Sequence, residues 1–302
     1  MNLTGLRYFA EVAEQGSFRK ASLRLRIAQP AVSRQVKLLE EELGVELFVR
    51  HGRGVLLTES GETLLRGARS MLSLSEQIRA DIGAISQTPT GHIRLGFQPS
   101  AGRLLAGRCL AEFCRVHPNV TFEVFDGLSQ VVGERILNGQ LDMGIYNPGA
   151  ANPYLIATPL YEKPIWAIAH PDRPLGPDTH LTVAALAAYP LIAAASVFRQ
   201  VLRAGPEGAF KLAIELNGFS ISSDLLARNA GVLLCPPEMF CNELDAGVFH
   251  GRPVSGLSTL ASIVRRSDVP PSRAMIEFER HVIELSQPNL ISGDIMSISS
   301  IS

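Results

Sequence analysis

The sequence predicts two domains joined by a long helix: an all-α N-terminal domain that ends in a β-hairpin, and a larger C-terminal α/β domain. The chain has 302 residues, more than one average domain contains. Apolar residues recur at helical spacing through most of the first 86 residues, and beyond a polar segment at 87–91 strand patterns alternate with helical ones. The expected divisions are 1–58 (N-terminal domain), 59–88 (helix and hinge), 89–286 (α/β domain) and 287–302 (tail).

The first 26 residues predict two short helices. Residues 3–15 form the first, which Gly16 ends, and Ser17 is a good N-cap for the second. Each helix has one apolar face, so both are expected to pack on a common core. The inward residues would be Leu3, Leu6, Phe9, Ala10 and Ala13 in the first helix and Phe18, Ala21, Ser22 and Leu25 in the second.

Residues 28–44 predict a third helix, which begins near Pro30 and ends at Gly44. Proline has no N–H to lose in the first turn, and glycine adopts the left-handed conformation that closes a helix. The short connection at residues 26–28 makes the second and third helices a helix-turn-helix. The buried face of the third helix would comprise Val32, Val36, Leu39 and Leu43, and its outer face Gln29, Ser33, Arg34 and Lys37.

The outer face of the third helix has the residue types that recognise a DNA major groove. Arginine reads guanine and glutamine reads adenine, while serine and lysine hold phosphates. Most helices expose charged residues, so this face alone would favour an ordinary solvated surface. The following segment, LFVRHGRGVLLT, favours DNA binding instead, because it predicts a β-hairpin with Arg50, His51 and Arg53 near its tip. Such a basic hairpin is a wing that can reach a groove or phosphates beside the helix.

The distribution of charge agrees with a nucleic-acid partner at one end of the chain. The net charge of the whole chain is −1. Residues 1–58 contain nine Lys and Arg against six Glu, a charge of +3, so the remainder carries −4. A basic head on an acidic body is typical of a protein that touches DNA with its head only, although the asymmetry is too small to establish this alone.

A helix from Thr58 to about Ser86 is predicted next, with Thr58 as its N-cap and Glu59 and Glu62 in its first turn. Its apolar residues are spaced alternately by four and three, as in a coiled coil. We therefore expect it to pair with a second copy of the chain, and the alternative is a connector packed on the C-terminal domain. The predicted seam comprises Leu64, Ala68, Met71, Ser75, Ile78, Ile82 and Ile85.

The C-terminal domain is predicted to contain a parallel sheet covered by helices on both faces. Chain crossings between two lobes are expected near Leu160 and Ile263. The strand segments are HIRLGF, TFEVF, LDMGIY, PIWAIAH, YPLIAAA, FKLAIEL, GVLLCP and STLASIVRR, and the helices lie at about 102–116, 129–137, 223–229 and 272–285.

Small hydroxyl residues follow several strands, where the carboxyl ends of strands and the starts of helices form ligand sites. They predict a cleft for a small effector, an organic anion or another hydrogen-bonding molecule. The alternative for each serine is a helix cap, and for Arg199 a surface ion pair. The candidate contacts are Pro99, Ser100, Ser129, Ser196, Phe198, Arg199 and Ser222.

Catalysis, metal binding and membrane insertion find little support in the sequence. The seven histidines are scattered, and neither a zinc motif nor a nucleophile motif is present. The four cysteines lack paired spacing, so we expect idle thiols, no metal and no cofactor. No apolar run is long enough to cross a membrane, and no signal peptide is evident. The sequence thus predicts a cytoplasmic protein that is not an enzyme.

The N-terminal segment resembles the winged helix-turn-helix of LysR-type transcriptional regulators, through AQPAVSRQVKLLEEELGVELFVR and GRGVLLTESG followed by a long helix. The resemblance implies that Gln29, Pro30, Ser33 and Arg34 contact DNA, with support from Arg50 and Arg53, and that the long helix mediates dimerisation. One departure is Ala28, where the family often has a serine cap, a loss that typically costs about 1 kcal/mol.

The C-terminal sequence is similar to the effector-binding domain of the same family, itself similar to periplasmic solute-binding proteins. The best local matches are LNGQLDMGIY and HPDRPL, and a departure is the compressed segment ARNAGVLLCP. The resemblance implies two lobes, lobe I at about 91–161 and 266–286 and lobe II at about 162–265.

Taken together, these features predict a homodimer or homotetramer that binds an interrupted inverted repeat in promoter DNA and responds to a small effector. The alternative is a solute-binding module without a gene-regulatory role, in which the N-terminal domain serves only for oligomerisation. The outward Gln29, Ser33 and Arg34 favour the regulator.

Overall fold

The computed structural model describes residues 1–52, 54–83 and 89–286. These residues form a helical N-terminal domain with a β-hairpin, one long helix and an α/β domain built on an eight-stranded sheet. The predicted end of the long helix at Ser86, Ile85 of its seam and the tail at 287–302 lie outside the described residues. The predicted domain boundaries remain predictions.

The three N-terminal helices are α1 (Leu3–Gln15), α2 (Phe18–Leu25) and α3 (Gln29–Leu43). Gly16 ends α1 with a φ of 58°, and the Ser17 hydroxyl accepts a hydrogen bond from the N–H of Lys20, which confirms Ser17 as the N-cap of α2. Ala28 precedes α3 without a capping side chain, and Gly44 ends α3 with a φ of 69°. The predicted helix-turn-helix is therefore confirmed.

The core of the N-terminal domain is formed largely by the predicted faces, with two exceptions at its edge. Val32, Val36 and Leu39 of α3 are buried. Leu43 is 40% exposed and Leu3 is 39% exposed, so their predicted burial is wrong. Leu3 lies in the first turn of α1 and Leu43 is the last residue of α3, and the pair between the Met1 ammonium group and Glu42 brings these two helix ends together.

The predicted hairpin is confirmed as two antiparallel strands, β1 (Phe48–His51) and β2 (Gly54–Leu57). Phe48 anchors the hairpin in the core, since its ring centre lies 5.2 Å from that of Phe9 and 5.6 Å from that of Phe18. The wing is thereby fixed to the same core as the helix-turn-helix.

The long helix α4 spans Glu59–Gly83. The Thr58 hydroxyl accepts a hydrogen bond of 2.9 Å from the N–H of Gly61, which confirms it as the capping side chain. The first part of α4 packs into the N-terminal domain: Leu64 is half-buried there and Ala68 is 0% exposed. Both residues were predicted in a seam between chains. For Ala68 this is wrong, because the core of its own domain already buries it, and for Leu64 it stays a prediction.

The α/β domain contains eight strands and seven helices, interrupted by a π-helical turn (Gly102–Ala106) and two 3₁₀ turns (Ala184–Ala188 and Pro237–Phe240). The strands are β3 (Gly91–Phe97), β4 (Val120–Asp126), β5 (Met143–Tyr146), β6 (Leu155–Ala169), β7 (Pro190–Ala193), β8 (Lys211–Glu215), β9 (Val232–Cys235) and β10 (His250–Arg266). The helices are α5 (Pro99–Ala101), α6 (Gly107–Val116), α7 (Ser129–Leu137), α8 (Ala195–Ala204), α9 (Ser222–Ala227), α10 (Cys241–Asp245) and α11 (Arg273–Leu285).

The strand order is β4-β3-β5-β10-β6-β9-β7-β8. Strands β3, β4 and β5 are parallel at one end, as are β7, β8 and β9 at the other. The two long strands β6 and β10 run antiparallel to each other between these ends, so the predicted parallel arrangement is wrong at the centre of the sheet. The difference arises because the chain crosses between the lobes twice, once in each direction.

Each end of the sheet has its own core, which makes the domain two-lobed. One core contains Phe97, Phe113 and Phe278, and the other contains Leu186, Leu191 and Leu234. Strands β6 and β10 contribute residues to both cores and are the crossings predicted near Leu160 and Ile263. The cleft between the lobes is therefore bordered by the ends of parallel strands from both sides.

The long helix α4 also contacts lobe I. The Arg266 guanidinium donates a hydrogen bond of 2.7 Å to the Ser70 hydroxyl. Arg69 lies between the domains, 3.3 Å from the carboxylate of Glu14 in α1 and 3.5 Å from the carbonyl oxygen of Asn138 in lobe I. These contacts connect the head, the long helix and lobe I.

We expect Gly96→Ala to destabilise the α/β domain by about 1–3 kcal/mol, because overpacking a core forces its neighbours to shift. A Cβ atom at Gly96 would lie 2.7 Å from side-chain carbons of both Leu141 and Val132. Gly107→Ala in α6 is the matched control, since a Cβ there meets nothing within 4 Å and should stabilise the helix by up to about 1 kcal/mol. Urea unfolding would measure both, and equal midpoints for the two variants would contradict the expectation.

Candidate functional sites

The outer face of α3 is open to solvent along its whole length. Gln29, Pro30, Arg34 and Lys37 are exposed, and Ser33 is partly exposed. Lys37 lies 3.6 Å from Glu41, an exposed pair of the kind that a stronger anionic partner can replace. Within the described residues, Arg34 has no hydrogen bond or ion pair, so its guanidinium is available to a ligand outside the protein.

The wing lies beside this face on the same core. Arg50 pairs with Val55 through the strand backbone, which places it one residue from the turn. The side chain of Arg50 and all of Arg53 lie outside what the structure describes, so their contribution to DNA binding stays a prediction. His51 is exposed at the end of β1.

An apolar stripe on α4 is uncovered in the single chain. Met71, Leu74 and Ile78 are 44%, 37% and 50% exposed and follow each other at intervals of three and four residues. This spacing places them on one face of the helix. Met71 and Ile78 belong to the predicted seam, whereas Leu74 was not predicted. The side chain of Ile82 lies outside the described residues, and its place in the seam stays a prediction.

A cleft of about 130 Å³ lies between the lobes and contains five of the seven predicted effector contacts. Pro99, Ser100 and Ser129 line its lobe I side, and Ser196 and Arg199 line its lobe II side. Sequence reasoning missed other residues in its wall, among them Gln98, Asn217, Phe219, Met239 and Thr259. These residues belong to no motif, because they reach the cleft from loops and from a crossing strand.

The other two predicted contacts lie elsewhere. Phe198 packs against the core of lobe II, and Ser222 is only 1% exposed at the start of α9. Phe198 lies on the apolar face of α8 and packs against the core, whereas the next residue, Arg199, is exposed. Neither side chain is among those that line the cleft, so the structure does not support them as effector contacts.

Gln98 is the centre of a hydrogen-bond network on the lobe I wall. Its side chain is 4% exposed. The amide oxygen accepts hydrogen bonds from the Ser129 hydroxyl at 2.8 Å and from the backbone N–H of Asn147 at 2.7 Å. The amide nitrogen lies 3.2 Å from the Ser100 hydroxyl. One buried residue therefore holds both serines that face the ligand space from lobe I.

A second, larger cavity of about 500 Å³ lies between α1, α4 and lobe I. Four of its charged side chains form two ion pairs, Arg94 with Asp142 at 2.6 Å and Arg69 with Glu14 at 3.3 Å. The interlobe cleft is smaller, but serine hydroxyl groups and helix starts line it, and such groups bind small ligands. The location of the effector site in the interlobe cleft stays a prediction.

The residues considered for other chemistry have structural roles. Asp142 accepts hydrogen bonds from both the side chain and the backbone N–H of Arg94, so its carboxylate is occupied by a structural contact. Burial raises the pKa of the Cys109 thiol to about 12 and that of the Cys235 thiol well above its usual value, which disfavours the reactive thiolate form of both. In the part of the chain that the structure describes, no group of His, Cys, Asp and Glu could hold a metal ion.

Comparison with known proteins agrees with this architecture. The family described as "Bacterial regulatory helix-turn-helix protein, lysR family" matches residues 3–62, and "LysR substrate binding domain" matches residues 86–287. The chain belongs to the LysR family. It is a transcriptional regulator with an N-terminal DNA-binding domain and a C-terminal effector-binding domain.

Relatives of this LysR-type regulator include an SDS degradation transcriptional activation protein of Pseudomonas sp., which is 31% identical over 252 residues and covers 82% of each chain. Among solved structures, full-length OxyR from Pseudomonas aeruginosa superposes with a TM-score of 0.75 at 24% identity, covering 94% of this chain and 98% of OxyR. CbnR in complex with its target DNA superposes with a TM-score of 0.55 at 22% identity, covering 95% of this chain and all of CbnR. These structures support the same fold.

Among the described residues of the regulator, no helix combines the length and apolar composition needed to cross a membrane.

Proposed function

We propose that this LysR-type regulator binds an interrupted inverted repeat in promoter DNA as a homodimer or a dimer of dimers, and that a small effector in the interlobe cleft alters its arrangement. The observation that carries the proposal is the outer face of α3, where exposed Gln29, Arg34 and Lys37 stand over a buried apolar face. A helix built in this way can enter the major groove while its other side stays on the core.

The residues of this face divide the work of recognition. Arg34, which has no partner among the described residues, has the fork geometry to read a guanine edge, and Gln29 can read adenine. Ser33 and Lys37 are placed to hold phosphates on either side of them, with Arg50 and Arg53 of the wing in support. Phosphate contacts fix the register of the helix, and base contacts supply specificity.

Self-association is proposed to occur through the exposed stripe of α4. Burying Met71, Leu74 and Ile78 against a second copy would remove their apolar side chains from water. The conformational entropy lost on pairing is small, because both helices are already formed. A dimer then presents two α3 helices to two half-sites, so the DNA sequence should share the two-fold symmetry of the protein.

Regulation is proposed to follow from ligand binding between the lobes. A ligand shifts a conformational equilibrium only through unequal affinity for its states. Both lobes contribute side chains to the cleft, so a ligand that touches both favours one interlobe distance. Lobe I contacts α4 through Arg266 and Ser70, which offers a physical route from the cleft to the head.

We further propose that the protein acts by binding, without catalysis, and that it works in the cytoplasm, where promoter DNA is located. The histidines and acidic residues of the described chain do not meet as an acid–base pair in the cleft. The alternative, a solute-binding module without gene regulation, does not account for the exposed polar residues on the outer face of α3.

A salt titration distinguishes the two functions. For the regulator, the logarithm of the association constant for double-stranded promoter DNA should fall linearly with the logarithm of the salt concentration, and steeply, because each neutralised phosphate releases a counterion. Specific DNA should also bind at least about a thousandfold more tightly than unrelated DNA at the same salt. A solute-binding module would show weak binding with no preference between the two DNAs.

A further inference from the structure

We propose that the effector is a small organic acid with a hydroxyl or amino group beside its acidic group. Gln98 sets this preference, because its amide fixes which of two serines in the cleft donates a hydrogen bond to the ligand and which one accepts. The inference rests on the proposed effector-binding role of the cleft. It begins with the buried side chain of Gln98, whose amide contacts Ser100, Ser129 and the backbone of Asn147.

The orientation of the Gln98 amide is fixed by the backbone. The N–H of Asn147 lies 2.7 Å from one end of the amide, and a backbone N–H can only donate. The amide oxygen must therefore face Asn147, and the amide nitrogen must face Ser100. No flip of the amide satisfies these neighbours.

The fixed amide decides how each hydroxyl hydrogen is used. Ser129 donates its single hydrogen to the Gln98 oxygen at 2.8 Å, so only its oxygen lone pairs remain for a ligand. Ser100 accepts a hydrogen bond from the Gln98 nitrogen, so its own hydrogen remains free for the cleft. The two serines therefore present one donor and one acceptor to the ligand.

The lobe II wall favours the acidic group. Helix α8 has ten residues, and its first bonds run from the N–H groups of Val197 and Phe198 to the carbonyl oxygen of Ala194. The N–H groups of Ala195 and Ser196 consequently have no helical partner at the positive end of the helix dipole. The guanidinium of Arg199, exposed one turn further on, adds a full positive charge to the same wall.

A simple carboxylate does not match this arrangement, because it offers acceptors only. It can bind the lobe II wall and Ser100, but it sets an oxygen against the lone pairs of Ser129 or leaves them without a partner. A neighbouring hydroxyl or ammonium group supplies the missing donor. A hydroxy or amino acid therefore satisfies both serines and the lobe II wall together.

A competing explanation is that Gln98 only ties three loops of lobe I together. In that case its loss would weaken every ligand to the same degree. If Gln98 instead fixes the donor and acceptor roles of the serines, its loss changes the ratio of affinities between two acids that differ only in the hydroxyl or amino group. That ratio distinguishes the two roles.

The experiment is titration calorimetry of the full-length protein with matched acids: malate against succinate, lactate and alanine against propionate, and mandelate against phenylacetate. We expect the substituted member of at least one pair to bind about tenfold more tightly, the value of one good hydrogen bond. Ser129→Ala should bring that ratio close to one, and so should Gln98→Met, which frees both hydroxyls to rotate. Gln140→Met makes the same chemical change at an exposed position of lobe I and should keep the wild-type ratio.

Three outcomes overturn the inference. Equal binding of both members of every pair would do so, and so would an unchanged ratio in the two variants. If none of these acids binds, the proposed chemical class is wrong. If both members of a pair bind equally and this binding depends on Arg199, the inference fails but the proposed effector role of the cleft still holds. DNA binding by the same preparation tests the regulator function separately. Should Gln98→Met fail to fold, Ser129→Ala alone decides, because it removes only a hydroxyl at the wall of the cleft.

Discussion

Glutamate at both Met71 and Ile78 is expected to leave this LysR-type regulator monomeric and to weaken its binding to an inverted-repeat operator by about a hundredfold or more. Both side chains are about half exposed in the single chain and stand on one face of α4. In a coiled coil, four carboxylates from two chains would meet along this face without counter-charges. Without the dimer, each head binds its half-site alone and the gain from linked binding, about 10²–10⁴, is lost.

Analytical ultracentrifugation would measure the assembly, and a gel-shift titration the affinity for the operator. Arg66→Glu is the control, since it introduces the same residue on α4 at an exposed position away from the stripe. The double variant should also keep the thermal stability of the N-terminal domain, whose core contains neither Met71 nor Ile78. A dimer that persists in the double variant would remove α4 from the interface.

The seam also illustrates where the sequence misleads. The spacing by four and three extended from Leu64 to Ile85 and suggested one partner for the whole helix. In the structure, Ala68 faces the core of its own domain while Met71 and Ile78 face solvent. A periodic pattern predicts that a face is buried but not what covers it, because any apolar surface serves equally well.

The helix-turn-helix was predictable because its signals are local. The Ser17 cap, the Gly44 stop and the spacing of Val32 and Val36 act within one or two turns of helix. The direction of β10 was not predictable in this way, because strands of either direction carry the same apolar pattern, and only the topology makes β10 antiparallel to β6.

In the cleft, too, residues with local sequence signals were predictable and residues positioned by distant parts of the chain were not. Helix starts after strands indicated Ser100, Ser129 and Ser196, all of which line it. Gln98 was missed because nothing in its neighbourhood distinguishes a buried glutamine from an exposed one. Its role depends on Ser129 and Asn147, which are about 30 and 50 residues away in the chain. Phe198 was placed in the cleft only because it is near Ser196, although its side of α8 faces the core.

Arg34→Ala is expected to weaken operator binding by about 1–3 kcal/mol and to relax the preference for one base pair in each half-site. The guanidinium is exposed at the centre of the outer face and has no partner among the described residues, so binding does not have to break an internal ion pair. The loss should appear in the specific complex, because unrelated DNA offers no matching base at that position.

Lys37→Ala is the matched comparison on the same face, three residues further along α3. If Lys37 holds a phosphate, its loss should weaken binding to all sequences alike and reduce the slope of the salt dependence by about one. Arg34→Ala should instead change the ranking of operators that carry single base changes. Gel-shift titrations of both variants against such a set would separate the two roles. An unchanged ranking with Arg34→Ala would show that this side chain does not read a base. Unchanged affinity would place Arg34 outside the interface, and Gln29 and the wing would then have to set the register of α3 in the groove.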